Sequence, residues 1–166
     1  MRIGGRRVRE HIRFLWPLFG FIAVVWALRL VADAVAPNHR IARFFSLTAA
    51  APLAVLLAVL MIHVRRFGGY KNVVIASLLL VAWSHLLIMV AIVFSVVTGL
   101  ENVFTAPEFS VPLDDRYHVR HILGHVTLAI GGGLMGAGIG CVLLYLLRLL
   151  VPSRPPDEES QSGAED

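Results

Sequence analysis

The sequence predicts an all-α membrane protein, a four-transmembrane-helix bundle with both termini in the cytoplasm. Three observations carry that prediction. The 166-residue chain is 57% hydrophobic and only 16% charged, whereas a soluble domain is near half apolar and about a quarter charged. Its apolar residues gather in four runs, each long enough to cross a bilayer, for which about 20 residues suffice. Its basic residues flank those runs unevenly. With the N-terminus inside, Arg2, Arg6, Arg7, Arg9, Arg13, Arg65, Arg66, Lys71, Arg148 and Arg154 fall on the cytoplasmic side, against Arg40, Arg43, Arg116 and Arg120 outside. Basic residues accumulate on the cytoplasmic side of membrane proteins, which sets the orientation.

In chain order, residues 1–13 form a basic N-terminal collar. The first span covers 14–36, with Trp16 near its inner end, where an indole suits the headgroup layer. Ala34-Val35-Ala36 imitates a signal-peptide cleavage site, but the apolar run is too long and Arg29 and Asp33 interrupt it, so an uncleaved span is expected. A turn at Ala36-Pro37-Asn38 leads to a second span, 44–63, which Pro52 is expected to kink. The basic turn at Arg65, Arg66 and Lys71 precedes a third span, 73–98. There Ser77, Ser84, Ala91 and Thr98 recur every seven residues, a small-residue seam suited to helix packing.

The longest loop follows, with Glu101, Glu108, Asp114 and Asp115 beside Phe104 and Phe109. The fourth span covers 119–148. Residues 152–166 make an acidic tail with almost nothing to bury, expected to be disordered and cytoplasmic.

Candidate chemistry concentrates around the fourth span. His118, His121, His125, Ala129, Gly132, Gly136 and Gly140 fall on one side of a helix, so a histidine stripe continues into a glycine stripe. Gly132 and Gly136 are expected against another helix, with this span the most enclosed of the four. His118, His121 and His125 have the spacing of a ligand face for a divalent metal, which Glu108 and Asp115 could complete. The plain alternative is a set of interfacial polar residues satisfied by water and the loop. No HExxH or other established metal motif is present.

His85 lies near the middle of the third span, where an ionisable residue is costly unless it faces protein. It either binds a cofactor with His121 or His125, or hydrogen-bonds a serine or carbonyl within the bundle. The chain is similar to four-helix membrane cytochromes of the b561 kind in span number and in histidines on later helices, which would imply haem b. Those proteins pair histidines at matched depth, whereas level spans would leave His85 and His125 offset by about 10 Å, too far for one haem. Arg29 and Asp33, four residues apart, form a polar cluster on one face of the first span. They share the outer leaflet with the histidines, so one outer site containing Asp33, His121 and His125 is expected.

Several classes are excluded. The basic charge flanks apolar runs, so nucleic acid is not an expected partner. Cys141 is the only cysteine, which removes disulfides and CxxC chemistry within the chain. The glycine run lacks the preceding strand and the GKS or GKT of a phosphate loop. The expected function is therefore a non-enzymatic subunit or accessory of a membrane complex, located in a bacterial inner membrane. Its expected partners are the lipid bilayer and either other membrane subunits or copies of itself, with Phe104, Phe109 and Tyr117 as anchors. A haem b, metal or quinone-binding electron-transfer subunit is the alternative, and a small oligomeric transporter the weaker one.

Overall fold

A computed structural model describes residues 2–3, 5–35, 42–105 and 119–150. It contains four helices long and apolar enough to cross a membrane: α1 (Val8–Val35), α2 (Leu47–Val64), α3 (Tyr70–Thr98) and α4 (Val119–Leu150). A two-residue antiparallel pair, β1 (Arg2–Ile3) and β2 (Arg6–Arg7), precedes α1. Gly5 turns between them at φ +82°, a conformation that a side chain resists. The helix α1 therefore starts within the basic collar, six residues before the apolar run does.

Each terminus has a local reason. Ser46 sits in extended conformation at the start of α2. Gly99 ends α3 in the left-handed region, φ +71°, and donates its N–H to the Ser95 carbonyl, as a glycine after a helix commonly does. Between α2 and α3 the chain reverses through Arg65–Gly69, and the Phe67 N–H donates to the Ile62 carbonyl.

The helices α2 and α3 form the middle of the bundle, and α1 and α4 each pack on both of them. Buried Ala50, Ala51, Ala54 and Ala58 on α2, and Ala76, Ser77, Ser84 and Ala91 on α3, keep these two helices close. Only Gly133, Ala137, Gly140 and Leu144 of α4 are buried. The fourth helix is thus less enclosed than α2 or α3, contrary to the sequence expectation. Its glycines serve one contact with α3 and α2, while its opposite face stays uncovered.

That one contact is tight. A Cβ added at Gly140 would lie 2.8 Å from Val73 Cγ1 and 3.1 Å from Val59 Cγ2, and one at Gly133 would lie 2.8 Å from Leu78 Cδ2. Gly132 and Gly136 also face α3, but with room at 3.4 and 3.8 Å. The closest approaches are therefore at Gly133 and Gly140, one position along from part of the expected stripe. Gly124, Gly131 and Gly138 have nothing within 4 Å.

Two aromatic clamps fix α1. At one end, Phe14 stacks on Phe67 (centroids 3.9 Å), His11 meets it edge-on, and Arg6 lies 4.3 Å over the same ring while donating from Nε to the Phe67 carbonyl (2.7 Å). In the middle, Trp83 on α3 donates its indole N–H to the Phe19 carbonyl (3.1 Å). Between α1 and α4 an apolar trough of about 570 Å³ remains open over α3, walled by Trp16, Phe19, Trp83, Leu86, Val126 and Ala129.

The glycine contact gives a direct test. Gly140→Val should destabilise the folded protein by about 1–3 kcal/mol through overpacking against Val73 and Val59. Gly138→Val, into open space, should cost far less. Unfolding of both variants in the same detergent measures the difference, and equal stabilities would contradict the contact.

Candidate functional site

His85 and His125 meet across the α3–α4 contact. Their Nδ1 atoms lie 2.9 Å apart, within hydrogen-bonding distance, and their ring centroids are 5.2 Å apart. His121, one turn from His125, lies with its ring centroid 4.9 Å from that of His125 and inclined by 31°. Three imidazoles thus run in a row, His85–His125–His121. The His125 Nε2 atom is buried and makes no hydrogen bond.

The expected depth offset between His85 and His125 is not present. His85 is 13 residues from the α3 end at Thr98, about 20 Å, while His125 is six residues from Val119, about 9 Å. The two meet because α4 is slid along α3 by about the difference. The sequence estimate assumed that the helices begin level, and the glycine contact sets a different register.

The shared bond constrains both rings. One Nδ1 must carry the proton and the other accept it. The donor ring then has a bare Nε2 and the acceptor ring a protonated one. A neutral pair therefore offers its surroundings one donor and one acceptor, and the two roles exchange when the shared proton moves while one Nε2 gains a proton and the other loses one.

Beside the pair is a cavity of about 270 Å³ between α2, α3 and α4. Its polar wall is Thr48, Ser84, His85 and His125; the rest of its lining is apolar and includes Ala51, Val81 and Leu128. The Ser84 hydroxyl is already donated to the Val81 carbonyl (2.8 Å). Ala51, Val81 and Ser84 are buried, whereas Thr48 and Pro52 on α2 and Leu128 and Met135 on α4 are exposed. The cavity therefore opens sideways between α2 and α4, through the face that an apolar solvent would bathe. Pro52 has no N–H to give to the Thr48 carbonyl, which leaves an acceptor at this lip.

A haem between His85 and His125 does not fit this geometry. Two nitrogens bound on opposite sides of one metal are about 4 Å apart at ~2.0–2.1 Å per bond, and a porphyrin plane must pass between the rings. At 2.9 Å the imidazoles occupy that space themselves. No group of three His, Cys, Asp or Glu positioned to hold a metal ion occurs among the described residues. His118, Glu108 and Asp115, expected to complete a metal site, lie outside the described residues, as do Phe109 and Tyr117.

The first helix contributes nothing to the lining of this cavity. Arg29 instead donates to the Phe45 carbonyl (3.4 Å), lies 5.1 Å over the Phe104 ring, and interacts electrostatically with Asp33. The Phe104 ring is buried at 7% exposure, so it closes the bundle and is no anchor for a partner. The segment carrying it is pinned by Asn102, which donates to the Ala91 carbonyl (2.9 Å), and by the bond between Ser95 and Thr105 hydroxyls (3.0 Å). Arg29 thus braces the 99–105 segment through Phe104, and neither it nor Asp33 lines the cavity.

One further polar contact escaped sequence reasoning. His11 is 2% exposed and its Nε2 donates to Asn72 Oδ1 (2.8 Å), joining α1 to the start of α3. The partners are 61 residues apart, and no spacing in the chain announces them.

Removing one member of the histidine pair leaves the other's part-buried Nδ1 without its partner. His85→Leu alone should cost about 1–3 kcal/mol. His85→Leu with His125→Leu should cost clearly less than the sum of the single changes. Additive losses in unfolding measurements would mean the two rings are not coupled. No known protein family, curated protein or solved structure matches the chain.

Proposed function

We propose that this chain is a small integral membrane protein that acts without covalent catalysis of its own, as a subunit or accessory of a membrane assembly. In this reading its working site is the His85–His125 pair and the sideways cavity, and its ligand is a lipophilic molecule of the quinone class. The observation that carries the reading is the 2.9 Å Nδ1–Nδ1 contact at the wall of a largely apolar cavity. A quinone carbonyl needs a hydrogen-bond donor and the corresponding quinol needs an acceptor. The imidazole pair supplies one of each and can exchange them. Entry from the lipid phase suits a cavity whose lips are Pro52, Leu128 and Met135.

An ionisable pair at this depth in an apolar helix bundle is costly unless it has a use. The subunit part of the proposal is supported by the open trough over α3 and by Gly124, Gly131 and Gly138, whose uncovered backbone suits another helix. In this reading both termini are cytoplasmic and the Val119 end of α4 lies outside, which the excess of basic residues on one side supports. Single cysteines at positions 110 and 160, in a Cys141→Ser background, test that orientation. A membrane-impermeant thiol reagent on intact cells should label position 110 only; labelling of position 160 alone would reverse it.

The ligand is tested on protein purified in native lipid. A short-chain benzoquinone should bind saturably, one per chain, and His125→Leu should weaken binding about tenfold, the worth of one hydrogen bond. Absence of saturable binding, or equal binding by His125→Leu, would overturn the proposal. A Soret band or a stoichiometric metal lost in His85→Leu would replace it with haem or metal binding.

A further inference from the structure

Among the described residues, the titratable groups that reach the His85–His125 pair come from one direction. Toward the Leu150 end of α4, the two helices close on each other at backbone level. Positions for a Cβ at Gly132, Gly133 and Gly140 lie 3.4, 2.8 and 2.8 Å from Val81, Leu78 and Val73. Such contacts leave no width for a file of water, which needs roughly the volume of a probe sphere at each step. Toward the Val119 end, His121 follows His125 at 4.9 Å between ring centroids, and beyond it Val119 and Arg120 are exposed. Among the described residues, α3 gives the pair no titratable neighbour besides His85 itself. The α2 part of the cavity wall, Leu47, Thr48, Ala51 and Pro52, has none, and α1 does not line it.

We propose that His85 and His125 exchange protons with only one side of the membrane, the side holding the Val119 end of α4, and that His121 is the group through which they do so. A proton carried by His121 is delivered to His125 Nε2, the buried nitrogen that makes no hydrogen bond. A small ring rotation or one water molecule completes that transfer. His125 then gives its Nδ1 proton to His85 Nδ1 across the 2.9 Å contact. His85 in turn releases a proton from Nε2 into the cavity. One proton enters, one leaves, and neither ring keeps a charge; the rings finish in the opposite tautomers, and a proton passing the other way restores them. The path holds whichever molecule occupies the cavity. His121 is a proton-positioning residue and touches no ligand in this scheme.

The experiment uses the full chain with ¹⁵N-labelled histidine in sealed vesicles, all oriented alike by selection on a tag after the α4 C-terminal end. The ¹⁵N shifts of His85 and His125 report tautomer and protonation while pH is changed on one face at a time. They should follow the pH of the Val119 side and ignore the other. His121→Gln, which keeps a polar side chain but cannot titrate, should slow the response about a hundredfold, as loss of a positioned proton carrier does. Thr127→Val, on the uncovered face of α4, should respond as the unaltered protein. Shifts that follow the opposite face would overturn the proposal. So would a His121→Gln protein that keeps the His85–His125 signature and responds at the original rate. No quinone is needed for this readout, so failure to bind quinone leaves its outcome intact.

Discussion

The backbone-level approach of α4 to α3 is the constraint on which the functional part of the molecule depends. Helices with ordinary side chains between them stand 8–10 Å apart, and glycine and alanine let this pair come closer. Gly133 against Leu78 and Gly140 against Val73 and Val59 act as two points of a ruler. They fix how far α4 slides along α3 and which way it faces. A slip of one residue would move His125 by about 1.5 Å and turn it by about 100°. The contact with His85 would then be lost. The histidine pair is thus a result of packing several turns away.

Several of the other polar side chains inside the bundle hold α1 in place. Phe67 receives Arg6, His11 and Phe14 at one end, and Phe104 lies under Arg29 at the other. Both arginines combine a backbone carbonyl with an aromatic face, an arrangement that suits guanidinium, which is planar and weakly hydrated. Their charges are therefore accounted for by structure. The histidine row lies apart from these clamps, at the wall of a cavity beside the glycine contact that joins α3 to α4. That contrast is what separates a candidate site from a set of buried polar side chains.

Four long apolar helices were legible in the sequence because membrane-length runs are a composition property, readable without knowing any contact. The side of α4 that meets α3 was legible too, since glycine periodicity marks a face. Its register was not. Periodicity gives an angle around the helix axis and leaves the position along it free, so His85 and His125 looked too far apart. Sharing a leaflet likewise says nothing about which helices are neighbours, and α1, packed on α2 and α3, does not line the cavity. His11 with Asn72 and Arg29 with Phe104 depend on the three-dimensional path alone, and no motif encodes either.

The 2.9 Å separation of the two Nδ1 atoms also sets how much charge the site can hold. With one shared proton the pair is neutral. One proton added to the neutral pair converts one ring to imidazolium and still leaves a donor facing an acceptor, so the contact survives with both Nε2 atoms protonated. A second added proton would place two N–H groups head to head at 2.9 Å, and the rings would have to separate. Within an apolar bundle, where each unpaired ion is costly, the pair therefore has a capacity of one charge. It can store a single proton between events, and any process that handles protons in twos has to pass them through His85 and His125 one after the other.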